Sequence, residues 1–183
     1  MSCDLSAGRL INCRDIVGGI QAVYFVDFGY LGAITLTSDE VTDMDGTFSA
    51  FKYDVKGAGN SLEQAVTASV ESGTAFFEQT LSLSLPKLSK EDMVQFKLMI
   101  FGRPHCVIVD NNGNALLAGK EHGLSVSGGS ITTGSNFSEM SGTTLTLTGS
   151  EKLPANFIAG ATVANPFVGL SSATETIVLG TNS

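Results

Sequence analysis

The chain has 183 residues, of which 43% are apolar and 15% charged, and its 10 Lys and Arg against 18 Asp and Glu leave a net charge of -8. That length fits one domain, with at most an arm beyond it, and the composition excludes a coiled coil or an acidic disordered tail. The negative charge also excludes general affinity for nucleic-acid phosphates, because that affinity needs clustered Lys and Arg.

The beginning of the chain gives no targeting signal. Residues 1–10 include an acidic residue and no apolar core, so a cleaved secretory signal is not predicted, and we expect the protein to stay in the cytoplasm where it is made. Cys3, Cys13 and Cys106 are odd in number and have no C-x-x-C spacing, which favours reduced thiols over disulfides or a metal site. We therefore expect no metal and no cofactor.

The first third of the chain predicts short strands separated by turns. We expect Ile20 to Tyr30 to pair with Ile34 to Thr37, and Phe48 to Val55 to form another strand. Between them lie Asp39, Glu40, Asp43 and Asp45. These acids lack the spacing of a calcium-binding EF-hand, so we expect a solvated acidic loop rather than a cation site.

Residues 61–85 predict a long amphipathic β-hairpin with a turn at Ser72-Gly73. Apolar and polar residues alternate along both arms, which gives the ribbon one apolar and one polar face. Each arm has about 11 residues, or about 36 Å, against five or six in a typical strand. Such a ribbon is marginal alone and its edges invite pairing, so we expect copies of the chain to join their hairpins around a ring.

The two faces of this hairpin carry the candidate functional residues. There is no Lys or Arg from Gly57 to Pro86, so the polar face would form an acidic lumen that repels DNA and lets it pass. The expected lumen-facing residues are Glu63, Glu71, Glu78, Thr67, Thr80 and Ser82. The expected ring-packing residues are Leu62, Val66, Val70, Phe77, Leu81 and Leu83. The alternative is an ordinary sandwich hairpin whose polar face meets bulk solvent.

One helix is predicted, over 90–101. Ser89 followed by Asp92 is an N-cap signal, and Gly102 with Pro104 predicts the end. After it, Cys106 to Val109 and Ala115 to Ala118 flank an Asn-Gly dipeptide and predict a second hairpin. Further strands are expected at Gly123 to Ser127, Thr143 to Thr148 and Phe157 to Val163.

The C-terminal stretch is uncharged from Leu153 to Thr174. Pro154 and Pro166 would break a membrane helix there, so we expect no membrane span and predict an extended arm on another subunit. The predicted fold is mainly β: an antiparallel β-sandwich or open barrel with one flanking helix and a long oligomerising hairpin. Residues 1–160 would form this domain and 161–183 the arm.

Three stretches carry a resemblance to a known family. They are Cys13 to Ile20 leading into Tyr24 to Phe28; Val107 to Gly113 with Gly119 and Gly123; and Gly142 to Thr148 with Glu151 and Pro154. Together they resemble structural tail proteins of tailed bacteriophages, in the version found in phages and prophages of Bacteroidetes-like hosts.

The resemblance implies a tail tube protein or a related tube-like virion protein. Such proteins join long hairpins into rings, expected to be hexameric, around an inner β-barrel, and the rings stack into a hollow tube. It implies a place in the virion tail after assembly in the host cytoplasm. The implied partners are other copies, other tail or neck proteins, and DNA that passes without specific binding. A second pair of lumen strands is also implied, and we assign it to Phe48 to Val55 and Ile34 to Thr37.

Two other functions stay open. A head-to-tail connector or tail terminator would use similar parts without polymerising, and a carbohydrate- or receptor-binding β-sandwich is possible because Gly- and Ser-rich hairpin proteins often serve as lectin-like modules. An enzyme is not expected, because no G-x-S-x-G, H-E-x-x-H or phosphate-binding glycine motif is present. His105 and Cys106 are neighbours on a predicted strand and point to opposite faces, and His122 is expected in a solvated turn.

Overall fold

The structure is a computed structural model that describes residues 8–9, 16–55 and 57–180. Cys3, Cys13, the start of the first similar stretch and the last three residues of the predicted arm lie outside the described residues. The described residues form twelve strands and one helix. The strands are β1 Ile20–Val26, β2 Ile34–Thr37, β3 Glu40–Met44, β4 Gly46–Asp54, β5 Ser61–Ser69, β6 Thr74–Pro86, β7 His105–Asp110, β8 Ala115–Ala118, β9 Ser125–Thr132, β10 Gly142–Glu151, β11 Asn156–Ile158 and β12 Ala173–Leu179; the helix is α1 Lys90–Phe101.

Eight strands make a large sheet in the order β12-β4-β1-β7-β8-β11-β3-β2. Strands β3 and β4 stand near opposite ends of this order, yet only Asp45 separates them in the chain. Because one residue spans only about 3.8 Å, the two ends of the sheet must come close together. The sheet is therefore strongly curled, and it does not close into a barrel.

The hollow of the curled sheet holds one apolar core. Tyr24, Met44, Val107 and Leu117 are fully buried there, and Phe167 from the loop 159–172 closes it. Phe167 meets Tyr24 and Phe48 edge to face, and the Tyr24 hydroxyl donates hydrogen bonds to the carbonyl oxygens of residues 163 and 164. The loop is thus part of the fold.

Four strands make a small sheet in the order β5-β6-β10-β9, all antiparallel. It packs on the outer side of the large sheet, and the second apolar core lies between them. That core joins Val23, Phe25 and Ile108 of the large sheet to Leu81 and Leu83 of the small one. The described residues thus form a β-sandwich with one helix, as the sequence predicts.

Helix α1 begins and ends where the sequence predicts. The Ser89 Oγ accepts the Asp92 backbone N–H at 3.1 Å and donates to the Asp92 carboxylate at 2.6 Å. Gly102 donates its N–H to the carbonyl oxygens of Leu98 and Met99 and closes the last turn. No helix in the described part of the chain is long and apolar enough to cross a bilayer.

Two strand predictions are wrong. Strand β1 does not pair with β2; it lies between β4 and β7, because it is buried and the N–H and C=O groups along both of its edges need hydrogen-bond partners. The acidic stretch is not a loop either. Glu40–Met44 is strand β3, since Val41 and Met44 point into the core between the acids. The hairpin over 105–118 is confirmed, with Gly113 at a φ of 86° in its turn.

The predicted C-terminal arm is also corrected. Ala173–Leu179 forms β12, which pairs in parallel with β4 of the same chain. The carboxylate of Asp43 accepts hydrogen bonds from the Ser172 N–H, the Ser172 hydroxyl and the Ser171 hydroxyl, just before β12 starts. Up to residue 180 the stretch therefore belongs to the domain, because its apolar residues fill the curled sheet and its backbone completes an edge.

Candidate assembly surface

The side of the small sheet that points away from the large sheet is polar, and we call it the wet face. Strand alternation sets it: Leu81 and Leu83 are buried in the core, so Thr80 and Ser82 point the other way. The register extends this face across all four strands. Its residues include Ser61, Glu63, Ala65 and Thr67; Glu78, Thr80, Ser82 and Ser84; Thr144, Thr146, Thr148 and Ser150; and Ser130 and Thr132.

The charge on the wet face is entirely negative. Glu63 and Glu78 lie on it, on neighbouring strands, and most other positions carry hydroxyl groups. Residues 57–86 and 121–151, which contain all four strands, include no Lys or Arg. The face therefore offers hydrogen-bonding groups and carboxylates, and nothing that would hold a phosphate.

Five of the six predicted lumen residues share the wet face, and Glu71 does not. Residues 70–73 form the turn between β5 and β6, so Glu71 stands at the tip of the hairpin. Val70, predicted as a ring-packing residue, is in the same turn with its side chain fully exposed, so it packs on nothing in the described part of the chain. Strand β5 ends at Ser69, before the predicted turn, and β6 starts at Thr74, directly after it, because Gly73, at a φ of 63°, closes a four-residue turn.

The opposite side of the small sheet, which we call the dry face, holds the other predicted set. Leu62, Phe77, Leu81 and Leu83 share it, and the two leucines of β6 are buried. Val66 shares it too, but it is 64% exposed, since the hairpin extends beyond the part of the sheet that the core covers. The apolar face of the hairpin tip is thus left open.

Two glutamines, the buried Gln79 and the half-buried Gln64, fix the ribbon to the rest of the fold. The Gln79 Oε1 accepts the Gly119 N–H at 2.8 Å in a fully buried position, and the Gln64 Oε1 accepts the Ala155 N–H at 2.7 Å. Both lie on the dry face, where the sequence pattern predicts apolar residues. They satisfy loop amides that would otherwise be buried without a partner.

The second hairpin of the small sheet is β9–β10, and this corrects the predicted second strand pair. Phe48 to Val55 and Ile34 to Thr37 both belong to the large sheet. The loop 133–141 connects β9 to β10. Glu139 holds this loop, because its carboxylate accepts hydrogen bonds from Ser135 and Asn136. These hydrogen bonds lower the pKa of Glu139 to about 2.

The two edges of the small sheet, β5 and β9, have no neighbouring strand within the described residues. The Ser84 N–H points toward β5, where it meets the Asn60 Oδ1, and the Lys87 N–H points toward β10. The N–H and C=O groups of successive residues in a strand point alternately to its two edges. In β5, the backbone groups of the wet-face residues therefore point toward β6, and those of the dry-face residues point to the open edge. The open edge of β5 thus presents the backbone groups of Gln64, Val66 and Ala68.

The four strands are staggered along their own direction. Ala65, in the middle of β5, lies at the level of Glu78, whereas Gly128, in the middle of β9, lies at the level of Ser82. From β5 to β9 the middle of the strand therefore shifts by four residues, or about 13 Å, along the strand direction. Across the sheet, the same two strands are three strand spacings apart, or about 14 Å. The line joining the two edges therefore runs at roughly 40–45° to the perpendicular of the strands, which matches the tilt of about 35–45° that barrel closure requires.

Several described residues with catalytic potential have structural roles. His105 is buried, with its Nδ1 at 2.6 Å from the Gly119 carbonyl oxygen and its ring stacked on Phe28, and burial lowers its pKa. Burial raises the pKa of the Cys106 thiol. Glu121, His122 and Glu151 bring one ligand atom each within 4.8 Å of the others. However, the Glu151 Oε1 already accepts the backbone N–H groups of residues 121 and 122, so it serves that turn.

No protein-family model, no curated protein and no solved structure matches the chain.

Proposed function

We propose that the chain is a structural subunit whose copies join β5 to β9 in a closed ring, with the wet face lining the lumen. The observation that carries the proposal is the staggered four-stranded sheet with two open edges. Its offset is already that of a segment cut from a barrel. A ring of such segments would remove both edges, which are otherwise exposed to uncontrolled pairing.

Strand direction supports this assembly. Directions alternate across the small sheet, so β5 and β9 run in opposite senses. A neighbouring copy related by rotation about the ring axis would bring its β5 antiparallel to β9, and the alternation would continue for any number of copies. Six copies would give 24 strands and a barrel about 50 Å across between backbones.

The function that best fits such a ring is that of a bacteriophage tail tube protein. The lumen would carry Glu63 and Glu78 from every copy, along with many hydroxyl groups. Carboxylates repel phosphates over about 10 Å at moderate salt, so DNA would be kept from binding to the wall. On this proposal the chain is not an enzyme and binds no cofactor, and its partners are its own copies and other tail proteins.

A connector or tail terminator stays the alternative within the same class. Such a protein would form the ring and expose different surfaces at its two ends, so that rings would not stack. Electron microscopy of the concentrated protein separates the two, since a tube protein forms stacks and a connector forms single rings. A carbohydrate-binding module would form neither.

The edge pairing can be tested with one substitution. In Ala68→Pro, proline removes an N–H that points to the open edge and leaves the β5–β6 bonds in place. We expect rings to be lost while the monomer stays folded. Ala68→Ser keeps the N–H and should assemble like the unmodified chain. Rings from the proline variant at unchanged concentration would refute the proposed pairing.

A further inference from the structure

Helix α1 carries apolar side chains on its outer side as well as on the side that meets the core. Phe96 is buried, whereas Leu98 is 61% and Phe101 82% exposed. Val94 is also exposed, and the spacing of these three places them along one side of the helix, which we call the outer stripe. A helix that is apolar all round is normally buried, so the outer stripe has the composition of a covered surface.

The outer stripe lies next to an open edge of the small sheet. Helix α1 packs beside β9, and the N–H of Leu124, just before β9, donates to the carbonyl oxygen of Pro104, just after the helix. The last turn of α1 is therefore at the start of β9. Phe96 packs in the core with Leu81 and Leu83, so the helix is on the dry side of the small sheet.

The opposite edge of the sheet has an apolar surface that nothing in the described part of the chain covers. Val66 and Ala68 are exposed on the dry face of β5, at the tip of the long hairpin. If β5 of one copy pairs with β9 of the next, middle to middle, Ala65 stands opposite Gly128. The tip then runs past the start of β9, on the side where the outer stripe lies.

Charge and area favour a second copy as the occupant. Glu71 is in the turn at the hairpin tip, and Lys97, which has the opposite charge, lies on the outer side of α1 between Val94 and Phe101.

The open edge of β5 has nine residues, so it is only about 30 Å long and one strand wide. Strand pairing alone would fall short of the ~800 Å² per partner that stable interfaces bury, so side-chain contacts must supply the rest.

We propose that the outer stripe of α1 is the seat for the hairpin tip of the neighbouring copy in the ring. The inference rests on the proposed edge-to-edge assembly and adds the apolar part of that interface: Leu98 and Phe101 of one copy against Val66 of the next. The contact is head to tail, so each copy offers one seat and one tip.

Complementation of two variants tests the proposal. Leu98→Glu removes the seat and leaves the tip intact, whereas Val66→Glu removes the tip and leaves the seat. Both positions are exposed, so both variants should fold as monomers like the unmodified chain. Val168→Glu introduces the same charge at an exposed apolar position on the loop of the large sheet and serves as the control.

Analytical ultracentrifugation of the separate and mixed proteins gives the readout. Each variant alone should need at least about ten times the concentration of the unmodified chain to assemble. In an equimolar mixture, the intact tip of the Leu98→Glu variant can bind the intact seat of the Val66→Glu variant. The resulting one-to-one heterodimer should grow no further, because its remaining seat and its remaining tip both carry the substitution. The control should assemble normally.

Three other results would contradict the proposed contact, the proposed ring, or both. If Leu98→Glu forms rings at the usual concentration, the seat is wrong while the proposed ring stands. If its rings form but no longer stack, the outer stripe contacts the next ring instead, and the inference is wrong. If the unmodified chain forms no rings, the proposed function fails and the inference with it.

Discussion

Gln79 of the long hairpin accepts the backbone N–H of Gly119 at 2.8 Å, in a position with no access to solvent. The same Gly119 presents its carbonyl oxygen to His105. One loop residue thus ties the small sheet to the large sheet through two buried side chains, and the ribbon is held at its middle while its tip extends beyond the core.

Loss of the Gln79 amide should destabilise the fold. Gln79→Met keeps the volume but leaves the Gly119 N–H buried without a partner, which we expect to lower the free energy of unfolding by about 1–3 kcal/mol. Urea denaturation measures the change. Glu78→Gln, on the neighbouring wet-face position, is the matched control and should stay within about 0.5 kcal/mol. Equal stabilities of the two variants would contradict this role for Gln79.

Acid should loosen β12 before the rest of the large sheet. Hydrogen bonds, first from Ser172, lower the pKa of Asp43 to about 2 from an ordinary 3.8. A carboxyl whose pKa is lowered by folding stabilises the folded state at pH values above its pKa in the unfolded chain. That contribution is lost as the pH falls from about 4 through 2. The protection of the β12 amides against hydrogen exchange, taken relative to the intrinsic exchange rate at each pH, should therefore fall in this window. In Asp43→Asn this fall should be absent, and an unchanged fall would show that another group causes it.

His105 should stay neutral at pH values where an exposed histidine is protonated. Burial lowers its pKa, and the Nδ1 must carry the proton that it donates to Gly119. Since the unfolded chain takes up the second ring proton, at Nε2, more readily than the folded chain, stability should fall as the pH drops below about 6.5. Nitrogen-15 spectra of the ring at pH 6.5 should show the Nδ1–H tautomer, and a doubly protonated ring at that pH would contradict the assignment.

The charge of the wet face should affect DNA passage and not folding. Glu63→Lys with Glu78→Lys replaces two exposed carboxylates by ammonium groups, so a lumen that repels phosphates would bind them instead. We expect intact particles that eject DNA more slowly, as measured by release of DNA into solution. Glu63→Gln with Glu78→Gln should show a smaller effect. Normal ejection by the lysine variant would mean that these side chains do not meet DNA.

Local patterns in the sequence predicted much of the fold. Alternation over 61–85 identified the hairpin and its two faces, and Ser89 and Gly102 marked both ends of the helix. These features depend on residues close together in the chain. By contrast, the strand expected at Thr143 to Thr148 carries no sign that it pairs with β6, because pairing between segments far apart in the chain leaves no local signal.

The sequence was least informative where polar residues fill structural roles. Asp43 was predicted in a solvated loop, yet it anchors Ser171 and Ser172 from the other end of the chain. The stretch that contains Phe167 was predicted as an arm because it is apolar and uncharged, and that composition suits an internal loop equally well. The wet-face residues Thr146 and Ser130 were missed for the same reason as the β6–β10 pairing.

A cryo-electron microscopy reconstruction of the assembled protein would show how the copies pair. We predict a closed barrel with four strands from each copy, β5 of one copy hydrogen-bonded to β9 of the next, and Glu63 and Glu78 facing the lumen. An assembly in which β5 and β9 face solvent, or in which the dry face lines the channel, would contradict it.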